Sequence, residues 1–412
     1  MVVSTLNPTP VDPYRIFPAA HNWAGDYSVA YEYLTDIITS GNGKEQRRAV
    51  RNYPRLTTSG TAVYHGEAKL LMDYYFAAWQ PYRSIAPLEH LGLRTTAAMA
   101  PEAGSVDFAW SEASAPPWVI GGDTVIIRHG LRPGVMETRT VGGVSPGTIS
   151  FQDDSLTEFP PGSTIFPTVQ GWGKLKPVGS RRSNDVGTMS YSFEVDPTLR
   201  IIYPGELDIT YVGGKELMSK KPNWRENVDV SFIWDRQPID YNYGAIGNPV
   251  NFSFPSRITK ATYLARDRVE AWSAMNFFMR HQGRRMSFFA PTFEDDIPYT
   301  ALSGGGLAVL IDGTAFAYTY MNSTVHRRIT LRMIDGTYSH HVVDYIEALP
   351  EGVSVMWLTD ALPVLSLTPE TVRGISWCLN SRFATDEQVF VFPSNEVAEF
   401  SMSVMSLENF EI

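Results

Sequence analysis

The chain has 412 residues, 43% of them hydrophobic, which is enough apolar surface for two or three ordinary domains. A net charge of −10 excludes a protein that holds nucleic acid by counterion release, because that mode needs a basic footprint. The single cysteine, Cys378, excludes an intrachain disulfide, and the alternation from Ile375 to Leu379 predicts a packed strand residue without redox chemistry.

No run approaches the roughly 20 apolar residues of a membrane span, and the first residues lack the basic-then-apolar pattern of a secretory signal. Assembly in a cytoplasm, without stable membrane contact, is the expectation. Aromatics at 12%, with 32 Gly and 28 Pro, fit a β-rich chain with many turns.

Residues 1–30 carry Pro8, Pro10, Pro13 and Pro18 among scattered aromatics and predict an extended arm able to lie on a neighbour. A first β-rich half follows over 31–198. Tyr31 to Ile38 alternates as a strand, Gly41 to Gly43 marks a turn, and Lys44 to Arg51 comes next. Its basic residues stand close to helical spacing, yet strand alternation also puts Arg47, Ala49 and Arg51 on one side, so both states remain open. A helix is predicted over 66–80, with Ala68, Leu71, Met72, Tyr75 and Trp79 on one face and Pro81 closing it. A short strand ending in Ala86-Pro87 should follow. From Val106 the pattern turns to short strands, Trp118 to Arg128, Val135 to Val141, Gly147 to Phe151 and Thr164 to Val169, separated by Gly-Gly and Pro-Gly turns. Such spacing suggests a sandwich or barrel. A polar segment, Lys176 to Gly187, precedes the alternating run Met189 to Val195.

Residues 199–227, with a Lys/Pro/Asn stretch in their later part, read as a linker to a second half over 228–412. Val228 to Trp234 and Val250 to Phe254 read as strands. A helix is predicted over 268–282. Asp267 and Glu270 form a capping box, Ala271, Trp272, Met275, Phe278 and Met279 recur at helical spacing, and Gly283 supplies the stop. Met286 to Phe289 is then a short strand ended by Pro291. Beyond it Ala308 to Ile311, Ala315 to Tyr320, Arg328 to Met333, His340 to Tyr345, Val353 to Leu358, Gln388 to Phe392 and Ala398 to Leu407 alternate as strands between Gly-rich turns. The helix, turn and strand unit thus occurs twice, ending in Ala-Pro both times. Together with the matching closing strands it predicts an internal duplication of about 200 residues, longer than solenoid periods. The fold class expected is β-rich α+β: two halves, each with one main amphipathic helix.

Motifs of catalysis are missing. There is no G-x-S-x-G elbow, H-E-x-x-H, phosphate-cradling Gly-rich loop or paired cysteine motif, so no enzyme, cofactor or metal is expected. His340 and His341, with Asp344 nearby, are consecutive strand residues that point to opposite faces and would not share one ion. Glu294, Asp295 and Asp296 offer carboxylates for a glycosidase or a calcium site, or form a solvated acidic loop. Arg280, Arg284 and Arg285 surround one helix end, where they complement its dipole or pair across subunits with carboxylates such as the 294–296 trio of a neighbour. Arg47, Arg48 and Arg51 join them as candidate interface residues. Asn251 and Asn322 head glycosylation motifs that a cytoplasmic product would not use.

The run from Tyr33 to Arg51, with its G-K-E-Q-R turn, resembles the opening of tail-tip structural proteins of long-tailed bacteriophages. Phe277 to Asp296, F-F-M-R-H-Q-G-R-R-M-S-F-F-A-P-T-F-E-D-D, is similar to a helix, basic turn and aromatic strand of phage distal tail and minor tail proteins. Ser381 to Phe392 resembles their last strand pair. The resemblance implies a virion protein of the tail tip or baseplate, made of tail-tube-like β-sandwich or barrel halves and assembled into a three-fold or six-fold ring around the tail lumen. It also implies a tail tube protein and hub or fibre proteins as partners, with DNA only in transient passage. The rival expectation is a tail-tip protein that binds or degrades carbohydrate, using surface aromatics such as Trp110, Trp118 and Trp172.

Overall fold

The computed structural model describes residues 16–40, 44–79, 82–102, 104–132, 134–154, 157–173, 178–181, 183–196, 209–234, 239–240, 242–244, 246–247, 255–302, 305–362 and 371–407. The chain is β-rich and its strands pair antiparallel throughout.

The expected arm enters the described residues at Ile16, and from there it is core. Ile16 and Phe17 are buried, and Ile16 makes a parallel bridge to Ile85. The four prolines hid this apolar pair, and the alternation Y-S-V-A-Y-E begins earlier than Tyr31, giving β1 (Tyr27–Glu32). A hairpin of β2 (Thr35–Thr39) and β3 (Glu45–Ala49) follows, so the ambiguous basic stretch is a strand; the turn at 41–43 lies outside the described residues. Next come β4 (Arg55–His65) and α1 (Gly66–Tyr74), which runs on through one π turn, Tyr75–Trp79, and then β5 (Ser84–Pro87). The predicted stop at Pro81 lies outside the described residues. After a 3₁₀ turn, Glu89–Leu91, short strands follow: β6 (Leu93–Arg94), β7 (Ser105–Asp107), β8 (Thr124–Arg128), β9 (Met136–Ser145) and β10 (Thr148–Phe151). The half closes with β11 (Thr164–Gly173), β12 (Val178–Arg181) and β13 (Val186–Val195).

The predicted linker is also built into the fold. Residues 211–216 form β14 (Tyr211–Val212) and β15 (Lys215–Glu216), after which Leu217 and Met218 are buried. Surrounding lysines and prolines masked these two apolar residues, as the prolines masked Ile16 and Phe17. Then follow β16 (Asp229–Ile233), β17 (Ile239–Asp240), β18 (Ile246–Gly247), β19 (Ser256–Ala265), α2 (Arg268–His281) and β20 (Phe288–Pro291). The strand expected at 250–254 lies outside the described residues. Beyond β20 are β21 (Tyr299–Leu302), β22 (Ala308–Asp312), α3 (Ala315–Tyr320), β23 (Arg328–Met333), β24 (Tyr338–Ala348) and β25 (Val353–Leu358). The chain ends in β26 (Val372–Phe383), β27 (Glu387–Phe392) and β28 (Ala398–Ser406). Residues 315–320 are helical where alternation predicts a strand. Six residues cannot separate the two periods, and i,i+4 spacing lets Phe316 and Tyr320 both pack on Trp377.

In the first half β4 lies between β1 and β13, and β13 takes β11 and β12 on its far side. β11 pairs in turn with β5 and β8, and the order continues β8, β9, β10, β7. In the second half β19 lies between β16 and β28, and β28 takes β26 and β27. β26 pairs with β20 and β23, and the order continues β23, β24, β25, β22. Details recur with it. Ile16 bridges Ile85 as Leu217 bridges Phe289, and the Asn22 and Asn223 amides donate to Thr61 and Thr262 carbonyls, each at 2.7 Å. Thr39 stands opposite Glu45 as Asp240 stands opposite Ile246. Among the described residues no strand ladder closes into a barrel; in the first half the isolated bridge Thr95 to Phe108 spans the open edge.

α2 forms where the capping chemistry places it. Asp267 Oδ1 accepts from the Glu270 amide at 2.8 Å, and the Glu270 carboxylate accepts from the Arg266 amide at 3.0 Å. Its left-handed terminal residue is Gln282 (φ 52°), with Gly283 (φ 63°) next. All five predicted face residues are buried, and so are Phe277 and His281. The helix is covered nearly all round because both halves contribute to one core, with Trp272 meeting Trp118 edge-on at 5.8 Å. Each such side chain stabilises by about 1.5–3 kcal/mol on burial. A second core lies under β21 to β26, around Ile329, Leu331 and Trp377.

Candidate subunit interface

The two halves meet strand to strand. β1 takes β4 of its own half on one edge and β27 of the other half on its free edge, from Tyr27 opposite Phe392 to Glu32 opposite Glu387. Tyr27, Tyr31, Phe390 and Phe392 are buried along this seam. The hairpin β2–β3 then reaches over the second half. Asp386 accepts from the Thr35 amide (2.8 Å), the Thr35 hydroxyl (2.9 Å) and the Arg284 amide (2.9 Å). The Arg284 guanidinium donates to Asp386 at 3.3 Å and to the Thr35 carbonyl at 3.0 Å. Beside it Arg382 grips Glu45 with both ends of its fork, at 2.8 Å each, a geometry that gives strong charge-assisted pairing. Arg47 lies 3.7 Å from the same carboxylate. Burial lowers the Arg47 guanidinium from its usual range while Glu45 opposes that shift.

The candidate interface residues have the following places within the chain. Arg284 and Arg47 lie where the β2–β3 hairpin meets the end of α2 and β26. Arg280 instead donates to Glu216 at 3.0 Å and Arg285 to the Gln282 side chain. Glu294 pairs with Arg257 at 2.6 Å, Asp295 with Arg332 at 3.2 Å, and Asp296 accepts from the Trp377 amide at 2.9 Å. Within the chain the arginine cluster and the 294–296 trio thus have separate partners, because the end of α2 faces β15 and the hairpin whereas the trio follows β20. Arg51 sits 3.3 Å from Glu32, and Arg48 stands opposite Asp36 in the hairpin. Reasoning from the sequence missed Glu45, Arg382 and Asp386. The last two lie inside the Ser381 to Phe392 run that carries the resemblance, and their charges amid apolar strand residues were the available signal.

Other chemistry is confined. Arg128 and Glu89 form a buried fork-to-carboxylate pair at 2.6 and 2.9 Å. His90 beside them is held neutral, its pKa pushed down to about 3 by burial and then by Arg268. His340 meets Thr330 and His341 meets Ser339, on opposite faces of β24, and no three His, Cys, Asp or Glu side chains gather as metal ligands among the described residues. Cys378 is buried and its thiol pushed up to about 12, closed to oxidation. Trp118 is buried with its indole N–H on the Leu91 carbonyl, Trp110 packs edge-on against it, and only Trp172 is exposed, so the three make no coplanar sugar platform.

The sheet that runs through the seam, in the order β12, β13, β4, β1, β27, β28, β19, β16, has an open edge at each end among the described residues. β16 pairs with β19 alone among the described residues, yet Val230, Phe232 and Ile233 are 39%, 61% and 45% exposed. β12 pairs with β13 alone, and Gly179, Ser180 and Arg181 are exposed. No described helix is long and apolar enough to cross a membrane. No protein-family model matches the chain, and a search of curated proteins finds no match.

Proposed function

We propose that this chain is a non-enzymatic structural protein of a phage tail tip, in which two copies of one β-rich unit stand side by side and several chains form a ring around the tail lumen. The observation that carries the reading is the recurrence of partner order and register in the two halves, together with one open strand edge at each end of the joined sheet. A unit that already meets its copy edge to edge is suited to meeting another chain in the same way, and a repeated head-to-tail contact generates rings when the rotation closes. Three chains would present six units, and so let a three-fold hub meet a six-fold tube. The ring would join tail tube protein to hub or fibre proteins in the virion. Its net charge of −10 suits a channel through which DNA passes without binding.

The test is the native mass and rotational symmetry of the purified chain by mass photometry and electron microscopy. A closed three-fold or six-fold particle with an axial hole is the expected result. A monomer at every concentration, with no binding to tail tubes, would overturn the reading.

A further inference from the structure

The ring reading names no surface, but the seam between the halves does. β1 and β16 hold one and the same place: Ser28 stands opposite Ser59 of β4, and Asp229 opposite Lys260 of β19. β27 and β12 likewise correspond, with Val391 opposite Glu399 of β28 and Ser180 opposite Thr188 of β13. (The Val391–Glu399 and Ser180–Thr188 pairs hold the same position because Ser381 meets Ser406 where Gly171 meets Val195.) Inside the chain the outer edge of β27 is taken by β1. The outer edges of β12 and β16 are taken by nothing among the described residues.

Resting on the ring-forming reading above, we propose that β12 of one copy pairs antiparallel with β16 of the next copy, in the register that β27 keeps on β1. Carrying Tyr27–Phe392, Ser28–Val391 and Val29–Phe390 across gives Val228 opposite Arg181, Asp229 opposite Ser180 and Val230 opposite Gly179. The side chains suit that register. Val230 then faces Gly179, on the face where Val29 meets Phe390 in the internal seam, and Asp229 faces Ser180 on the other face. A bare edge bearing Val, Phe and Ile is an aggregation hazard that folded proteins avoid, unless a specific strand covers it. The contact is heterologous, one edge meeting a different edge, so it propagates until a ring closes.

Single cysteines test this cleanly, because the native Cys378 is buried. Ser180→Cys and Asp229→Cys, both at exposed positions, are prepared separately, mixed at concentrations where the wild type is assembled, and oxidised. The expected result is a covalent dimer in the mixture, none from either variant alone, and in the double variant a ladder that stops at the ring size. Phe232→Glu should reduce the assembled fraction at least tenfold without shifting the melting of the monomer. A closed ring with no cross-link in the mixture, or one indifferent to Phe232→Glu, overturns the proposed seam and leaves the ring reading standing. A cross-link from one variant alone also overturns it, since the edges would then be meeting themselves. A wild type that never assembles overturns both.

Discussion

β1 and β16 occupy equivalent places in the two halves and differ in what lies beyond them. β1 has a second strand on its outer edge and alternates buried with half-buried residues, whereas β16 has none among the described residues and is exposed along its whole length. Their sequences do not predict that difference, since Y-S-V-A-Y-E and D-V-S-F-I carry similar apolar content. Burial here is a property of the neighbour rather than of the strand. The same contrast recurs at β8 and β23: Arg128 finds its carboxylate inside the core, while Arg332, at the same position of its strand, meets a carboxylate whose side chain is 63% exposed.

Four measurements probe this contrast, the largest effect first. Glu89→Ala strands the Arg128 guanidinium in the core, and urea unfolding should show a loss of about 3–5 kcal/mol. Phe390→Ala, at the internal seam, should cost a similar ~3–5 kcal/mol through its cavity, whereas Phe232→Ala on the open edge should stay within about 0.5 kcal/mol in dilute solution. Equal costs for the two phenylalanines would mean that β16 is covered in the monomer.

The third concerns pH. His90 is neutral in the folded chain, with its pKa pushed down to about 3, and the unfolded chain takes up a proton near 6.5. The unfolded state therefore binds more protons between those values, and stability should fall as pH drops below 6.5. By pH 5 His90 alone should account for about 2 kcal/mol. Unfolding midpoints at pH 7 and 5 check this, and a His90→Phe variant should show a shallower decline; an unchanged slope would place the proton uptake elsewhere, with His326 and His340, each pushed down to about 4, the next to replace. The smallest effect belongs to Asp295→Ala, which removes the exposed partner of Arg332 and should change stability by roughly 0–1 kcal/mol.

How far the fold was legible depended on local periodicity. α2 could be read to its cap, and β10, β22, β23, β25, β27 and β28 close to their bounds, because each carries its own alternation or helical spacing. Two stretches escaped, 16–26 and 209–227, for one reason: in each a single apolar pair, Ile16-Phe17 or Leu217-Met218, sits among prolines and polar residues. Both pairs make a parallel bridge and an amide hydrogen bond to a short strand, β5 and β20 respectively. The interface was half legible. Arginines at the end of α2 and in the hairpin announced charge pairing, but Arg284 with Asp386 and Arg382 with Glu45 are joined by tertiary packing across distant parts of the chain, which spacing along a sequence does not encode.

The seam also bears on synthesis. Hundreds of residues separate β1 from β27, so the outer edge of β1 stays bare until all of them have been translated. Nascent chains in that interval expose an unpaired edge with long-range partners still to come, the condition that slows folding and invites wrong pairing. A chain stopped before residue 387 would keep that edge permanently open, and lose its solubility.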